Sequence, residues 1–179
     1  MDGDTANSYV EQNDDIVAIN VGFEAERYAV AVQKGDAELK ASIDKVIDEM
    51  IADGSLEASR DSHNEEKGKA PDMNVGAPNG KLIMGTEATF PPYEYMSGEG
   101  VIGIDVDLMA RVAKELDMEL VVEDMLFDGL IAALQQGKID VIAAGMTVTA
   151  EREVNVDFSK PYVDTAEQLV VIRKESVVE

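Results

Sequence analysis

The sequence has no cysteine and no tryptophan, and its one histidine is His63. The absence of cysteine excludes disulfide bonds and thiolate metal sites. Gly-x-Ser-x-Gly, phosphate-binding and dinucleotide-binding motifs are also absent, and the carboxylates do not have EF-hand spacing. His63 stands in a polar stretch, where a solvated side chain is expected. These absences predict a chain with no catalytic activity, no metal site and no cofactor.

Basic residues are scarce, since 15 lysines and arginines face 37 aspartates and glutamates and leave a formal net charge of −22. Such a charge argues against nucleic acid and anionic membrane surfaces as partners, because both would repel the chain. No apolar run reaches the ~18 residues of a membrane span. Met1 is followed by Asp2 and Asp4 rather than by a basic and then an apolar stretch, so no signal peptide is present. An exported parent is therefore expected to have lost its signal from this chain.

The first part of the chain alternates between helical and extended patterns. A helix is expected at 4–12, strands rich in valine and isoleucine at 16–21 and 28–33, and a second helix after Asp36, a candidate N-cap. In this second helix a single apolar face is predicted from the spacing of Leu39, Ile43, Val46, Ile47, Met50 and Ile51.

Residues 64–80 carry charge, glycine, proline and asparagine without a period, which indicates a flexible linker. After the linker, strands are predicted at 81–86, 118–124, 139–145 and 168–174, and helices at 105–116 and 127–137. This alternation predicts an α/β fold with a mostly parallel sheet and helices on both faces. In such sheets ligands bind at the carboxyl ends of strands, which here are the loops that begin at Thr86 and Gly145.

The loop after Gly145 combines a hydroxyl group, a helix start and an arginine. Thr149 is a candidate N-cap of a short helix, and backbone N–H groups, the Thr147 hydroxyl and the Arg152 guanidinium could converge on one carboxylate. Arginine suits this role because its planar donors match a carboxylate in bidentate geometry. Spacing alone favours the alternative, in which Arg152 pairs with carboxylates nearby on the surface.

Three further side chains follow predicted strand ends. Phe90 is held on a Pro-Pro loop, where its ring either stacks on a ligand or folds into the core. Phe127 begins a helix, where it either lines the same cleft or serves as a hydrophobic staple. Glu87 would meet a ligand ammonium group if a cleft forms there, and is otherwise one more surface acid.

The stretch GIDVDLMARVAKEL at 103–116 resembles the signature segment of the solute-binding proteins of polar amino-acid ABC transporters, which have the type II periplasmic-binding-protein fold. KLIMGTEATFPPYEYM resembles the first strand and ligand loop of that family. The stretch from DGLIAALQQG to NVDFSKPY resembles its second helix, third strand and carboxylate-binding loop. Together these matches cover residues 81–174, and they imply one lobe of this fold with a mostly parallel sheet of about five strands.

Residues 1–63 resemble the carboxyl-terminal part of the same family, with its hinge strand and closing helices. The chain is therefore expected to hold one lobe in circularly permuted order, with the linker 64–80 joining this part to the amino-terminal part at 81–179. The two parts are expected to form one domain, and the central portion of the second lobe is expected to be absent. An engineered lobe would give this order, and so would a fragment cut from two tandem binding domains.

The resemblance implies a set of ligand-binding residues. By position these are Arg152 and Thr147 for the α-carboxylate, Gly145 for the α-ammonium, Phe90 over the ligand, and Phe127, Met146 and Glu87 around it. Asp2 matches an aspartate of the second lobe that binds the α-ammonium, although here it stands at a free terminus without its strand.

The resemblance implies extracytoplasmic capture of a polar amino acid, in the periplasm or lipid-anchored at the cell surface, and delivery to an ABC transporter permease without catalysis. A single lobe supplies about half of the contacts and cannot enclose a ligand, so weak or undetectable binding is expected. An uncovered cleft or a swapped segment predicts a homodimer. Three alternatives remain open at this point: a sensor or receptor module, an enzyme of the same fold such as a dehydratase, and a folding or assembly module without a ligand.

Overall fold

A computed structural model describes residues 3–22, 26–64, 68–73, 78–98, 100–166 and 168–176. The helices in these ranges are α1 Gly3–Gln12, α2 Ala37–Ala52, α3 Ser55–Asn64, α4 Ile104–Glu115, α5 Phe127–Gln135 and α6 Ala150–Glu153. The strands are β1 Ile16–Asn20, β2 Glu26–Tyr28, β3 Ala31–Gln33, β4 Lys81–Thr86, β5 Thr89–Phe90, β6 Glu94–Ser97, β7 Gly100–Ile102, β8 Glu119–Asp124, β9 Val141–Ile142, β10 Val156–Phe158, β11 Val163–Ala166 and β12 Leu169–Arg173. A 3₁₀ helix at Lys174–Ser176 follows β12.

A five-stranded mixed sheet with the order β10-β3-β9-β4-β8 forms the centre of the fold. β4 pairs in parallel with β8 and β9, whereas β3 is antiparallel to both of its neighbours. The predicted α/β lobe with about five strands is therefore confirmed, with one strand running against the others. β3 comes from the first part of the chain and the other four strands come from the second, so both parts build one sheet.

Helices cover both faces of this sheet. Successive side chains of a strand point to opposite faces, so one strand can contribute to the core on each side. On β4, Leu82 and Met84 belong to a core cluster that includes buried side chains of α2 and α4. Ile83, between them, packs against a second cluster that includes buried side chains of α5. Each fully buried aliphatic side chain contributes about 1.5–3 kcal/mol, so the two cores hold the sheet and its loops in place from both sides.

Asp36 caps α2 as predicted, since its side chain accepts a hydrogen bond from Leu39 N at 3.1 Å. Ile43 and Met50 of this helix are buried in the core. Ile51, predicted on the same face, is 58% exposed. It is turned about 100° away from its buried neighbour Met50, which places it outside the apolar face.

Three predicted strands differ from the observed ones. Residues 28–33 divide between β2 and β3, because the Val30 N–H donates to a serine side chain instead of to a neighbouring strand. Residues 168–174 do contain a strand, but β12 pairs with β1 in a separate two-stranded sheet. The strand predicted at 139–145 is reduced to β9, since the chain bends before Gly145, whose N–H also donates to a side chain.

The predicted linker 64–80 is described in part, and its residues 65–67 and 74–77 lie outside the described ranges. Leu120 N donates to Met73 O at 3.1 Å, and Met73 packs against the core. Asn79 N donates to Asp117 O at 3.1 Å. These linker residues therefore run against the α4–β8 region. Among the described residues, no helix combines the length and the apolar character that crossing a membrane requires.

Candidate functional site

A cleft of about 290 Å³ opens at the carboxyl edge of the central sheet. β4, β8 and β9 are parallel, so the loops that follow them meet at this edge. Its lining consists of Glu26, Tyr28, Glu87, Thr89, Phe90, Glu94, Phe127, Ala144, Gly145, Thr147 and Gln168. A pocket of this position and mixed lining is the expected place for a small polar ligand.

One wall of the cleft is aromatic. Phe90 stacks on Tyr93 with ring centroids 5.4 Å apart, and it meets Tyr28 edge-on at 6.3 Å. Tyr93 is buried, so it supports the Phe90 ring from behind. The ring also covers the backbone of Gly145, where a Cβ atom would lie 2.6 Å from Phe90 Cε1. Phe90 is thereby fixed at the cleft, where it also packs against the core.

β2 holds the loop that follows Gly145. Tyr28 forms an antiparallel bridge with Thr147, and extended backbone turns successive side chains to opposite sides. Thr147 accordingly faces the cleft, while Met146 faces the core. Thr147 Oγ1 donates to Glu26 Oε2 at 2.7 Å, so one carboxylate already accepts from this hydroxyl.

Arg152 borders the cleft from the side. Thr149 caps α6 as predicted, because its hydroxyl accepts a hydrogen bond from Arg152 N at 3.3 Å. The guanidinium Nη1 donates to Thr147 O at 2.7 Å, and Cζ lies 5.2 Å from the centroid of the Phe127 ring. The guanidinium is therefore directed towards the Thr147 loop and the aromatic ring.

The ionisable lining is acidic. Glu26, Glu87 and Glu94 are charged residue types in the described lining, and neither lysine nor arginine is among them. Glu94 is 1% exposed, and burial, followed by the neighbouring Asp105, raises its pKa well above the usual range. Burial likewise raises the pKa of Asp105 to about 6, against the lowering effect of its hydrogen bond from Gly145 N. A cationic group entering the cleft would meet a favourable field.

The structure brings five of the predicted site residues into the cleft, namely Glu87, Phe90, Phe127, Gly145 and Thr147. Arg152 and Met146 instead line a neighbouring cavity, of which Phe127 also forms part. Met146 is completely buried, because its side chain points away from the cleft into the core, and this corrects the expectation that it lines the cleft. Asp2 lies outside the described residues.

Sequence reasoning missed Glu26, Tyr28 and Glu94 as cleft residues. The sequence could have pointed to Glu94 as a cleft residue, because it is the one acid in the aromatic stretch FPPYEYM, which follows shortly after Glu87. Nothing in the sequence pointed to Glu26, because its position depends on a bond to Thr147, which is 121 positions away in the chain.

His63 is buried, contrary to the expectation that it is solvated. It is 4% exposed, with Nδ1 2.9 Å from the Tyr95 hydroxyl and Nε2 3.1 Å from Asp107 Oδ2. Ser59 Oγ donates to the same Asp107 oxygen at 2.6 Å, so the serine bonds to the carboxylate and not to the imidazole. This is a structural contact between α3 and α4 rather than a nucleophile and its base. Within the described ranges, no cluster of three histidine or acidic side chains is arranged to hold a metal ion.

Comparison with known proteins identifies the family of the chain. The family model for bacterial extracellular solute-binding proteins, family 3, matches residues 82–178. The arginine-binding extracellular protein of Bacillus subtilis is 43% identical over 108 residues, which are 59% of this chain and 42% of that protein. A probable histidine-binding protein of Campylobacter jejuni is 43% identical over 81 residues, which are 45% of this chain and 32% of that protein. The chain spans less than half the length of these curated relatives.

Solved structures give the same kind of match. The arginine-bound form of domain 1 from TmArgBP is 40% identical, with a TM-score of 0.47 and coverage of 60% of this chain and 89% of that one. An ancestral arginine-binding protein bound to glutamine is 52% identical, with a TM-score of 0.45 and coverage of 47% and 38%. The relatives are thus amino-acid-binding proteins, and some of their names assign them to ABC transporters.

Proposed function

Because the chain belongs to the bacterial extracellular solute-binding proteins, family 3, we propose that it is an amino-acid-binding lobe of the extracytoplasmic component of an ABC importer, with a cationic amino acid as ligand. The observation that carries the proposal is the cleft at the carboxyl edge of the sheet. There an aromatic ring, a hydroxyl group and an arginine-bearing loop surround an acidic cavity. The names of relatives that bind arginine and histidine support the same ligand class.

The Thr147 loop is the proposed site of the ligand α-carboxylate. The bond from Arg152 to Thr147 O uses one of the five N–H donors of the guanidinium group, so further donors are available for a carboxylate beside the loop. The Thr147 hydroxyl now donates to Glu26. A bound α-carboxylate would replace Glu26 as its acceptor, and the freed Glu26 would add to the negative field around the ligand.

The acidic lining sets the proposed preference for a cationic side chain. Glu87, from the loop after β4, and Glu26, from β2, both line the cleft. A guanidinium or ammonium group between them would gain Coulomb attraction, whereas the carboxylate of a glutamate side chain would be repelled. Phe90 would cover the apolar stem of the ligand.

The permuted arrangement is part of the proposal. β3, from the first part of the chain, stands between β9 and β10, and β1 pairs with β12. α1 also contacts the loop that holds Phe90, since Thr5 Oγ1 donates to Pro91 O at 2.7 Å. These contacts support a single lobe assembled from two parts in exchanged order. Tested by itself, such a lobe is proposed to bind weakly, because no second lobe closes over the ligand, and a homodimer through the cleft remains a prediction.

The test is a titration of the ¹⁵N-labelled chain with arginine, glutamine and glutamate, followed by amide chemical shifts. We expect shifts around Gly145 and Thr147, with affinity falling from arginine to glutamine to glutamate. Arg152→Ala should weaken arginine binding by about tenfold or more, because the carboxylate loses a charged donor worth about 1.5–3 kcal/mol. Arg111→Ala is the matched control, since Arg111 pairs with Asp53 at 2.8 Å on another surface and its loss should leave the affinity unchanged.

Two outcomes would contradict the proposal. Equal binding of glutamate and arginine would show that the acidic lining does not select a cationic ligand. The absence of any shift with every amino acid, in a chain whose spectrum shows a folded lobe, would favour the folding or assembly module instead.

A further inference from the structure

A pair of buried carboxyl groups lies beneath the cleft. Glu94, at the start of β6, and Asp105, in the first turn of α4, are 1% and 0% exposed. Glu94 Oε2 and Asp105 Oδ1 are two of the buried side-chain oxygens in the described part of the chain that have no hydrogen-bond partner. Two ionised carboxylates provide no donor for each other, so a proton on one of them is needed to satisfy the pair.

The pair is joined directly to the proposed ligand site. Asp105 Oδ2 accepts hydrogen bonds from Gly145 N at 2.9 Å and from the Tyr162 hydroxyl at 2.8 Å. Glu94 forms part of the cleft lining, and its Oε1 would lie 3.9 Å from a Cβ atom on Gly145. Asp105 thus holds the backbone of Gly145 from below, while Glu94 reaches the cleft floor.

The other groups that face the pair do not compensate its charge. Glu87, from the loop after β4, raises the pKa of Glu94 further, and Glu26 of β2 lines the same cleft. Tyr162, before β11, donates to Asp105 and remains neutral, because burial and Asp105 raise its pKa well above 10. The described lining contains no lysine or arginine to stabilise a second negative charge.

We propose that Glu94 and Asp105 form a proton-holding pair beneath the cleft, which releases its proton to solvent when a ligand ammonium or guanidinium group occupies the cleft. The inference rests on the proposed function, and it makes Glu94 and Asp105 positioning residues that act through Gly145 and the cleft floor. No bond other than the O–H bond of the carboxyl group changes: the proton passes to water or buffer, and the pair keeps the electrons as a second negative charge.

The physical reason is thermodynamic linkage between two positive species, the cationic group of the ligand and the proton on the pair. A positive ligand group beside the pair favours its ionised form, just as a neighbouring cation lowers the pKa of any carboxyl group. Ligand binding and proton binding therefore oppose each other by the same free energy. Burial raises the pKa of Asp105 to about 6 and that of Glu94 well above its usual range, so this competition lies above the pH at which exposed carboxyl groups titrate.

The experiment measures the dissociation constant of arginine for the intact chain by amide chemical shifts between about pH 5.5 and 7.5. Across this range arginine itself keeps its charges. If one proton leaves on binding, the dissociation constant should fall by up to about tenfold for each unit that the pH rises. Glu94→Gln should remove most of this slope, because the introduced amide donates permanently to Asp105. Glu87→Gln is the matched control, which should weaken binding at every pH but keep the slope.

A second readout covers the possibility that Glu94→Gln does not fold. In the unmodified chain with ¹³Cδ-labelled glutamate, the Glu94 carboxyl signal should titrate at a lower pH with saturating arginine than in the free chain. Binding with a pH-independent affinity, or a Glu94 titration that arginine does not shift, would overturn the inference and leave the proposed function standing. The absence of binding at every pH would overturn both.

Discussion

Gly145 lies where the aromatic wall and the floor of the cleft meet. Its N–H donates to Asp105, its Cα faces the Phe90 ring, and its φ of +50° belongs to the left-handed region that favours glycine. The close approach of the Phe90 ring depends on the absence of a side chain, because a Cβ atom would stand 2.6 Å from a carbon of Phe90. The residue therefore sets the distance between the aromatic wall and the floor of the cleft.

Gly145→Ala is expected to lower both stability and ligand affinity. Gly137→Ala is the matched control, since φ at Gly137 is +67° but the nearest atom to a Cβ there, on Gln33, is 3.8 Å away. Both substitutions should cost about 1–2 kcal/mol for the left-handed backbone. Only Gly145→Ala should add about 1–3 kcal/mol for displacing Phe90 and weaken arginine binding. Urea unfolding and arginine titration measure the two effects, and equal losses in both variants would show that the contact with Phe90 does not matter.

At the scale of elements, α3 is joined to the lobe through a polar contact inside an apolar interface. Asp107 of α4 accepts from Ser59 Oγ at 2.6 Å and lies 3.1 Å from His63 Nε2, while the Tyr95 hydroxyl of β6 reaches the other ring nitrogen. Apolar packing alone would let two helices slide past each other, whereas these directional bonds define their register.

His63→Ala is expected to lower the free energy of unfolding by about 1–3 kcal/mol, because half-buried polar groups of Asp107 and Tyr95 lose a partner. Asp61→Ala serves as the control, since Asp61 is exposed on the same helix and its loss should change stability by about 0.5 kcal/mol or less. Urea unfolding monitored by circular dichroism compares the two variants. A His63→Ala chain as stable as Asp61→Ala would mean that α3 is held by its apolar contacts alone.

At the scale of the whole molecule, the two parts of the chain are interleaved rather than placed side by side. β3 enters the central sheet between two strands of the second part, and β1 pairs with β12 along five residue pairs. Val30 and Val32 of the first part are completely buried. Neither part alone completes the central sheet, so folding is expected to be cooperative across the linker.

A chain cut in its linker is expected to stay assembled. With a protease site inserted at residues 74–77, the two fragments should elute together from a size-exclusion column and melt in one transition, because β1 and β3 remain paired with strands of the other fragment. In denaturing urea they should separate. Fragments that part under native conditions would show that the linker, and not the shared sheet, keeps the lobe together.

The fold was more predictable than the details of the site. Patterns of period two and 3.6 identify elements because they reflect burial of one face, and Asp36 and Thr149 act as caps through bonds to residues three positions away. Ile51 and His63 show the limit of such patterns. Whether a residue at the margin of a face is buried depends on which other element packs there, and local spacing contains no information on that.

The sequence by itself determined the α/β character of this protein, its family and the helix caps Asp36 and Thr149, because all of these depend on neighbours within a few positions or on contiguous motifs. Only the tertiary structure decided that Glu26 and Tyr28 complete the cleft from the other part of the chain, that Met146 belongs to the core, and that Glu94 meets Asp105. These contacts join residues from different elements, and only the pairing of strands and the packing of helices brings them together.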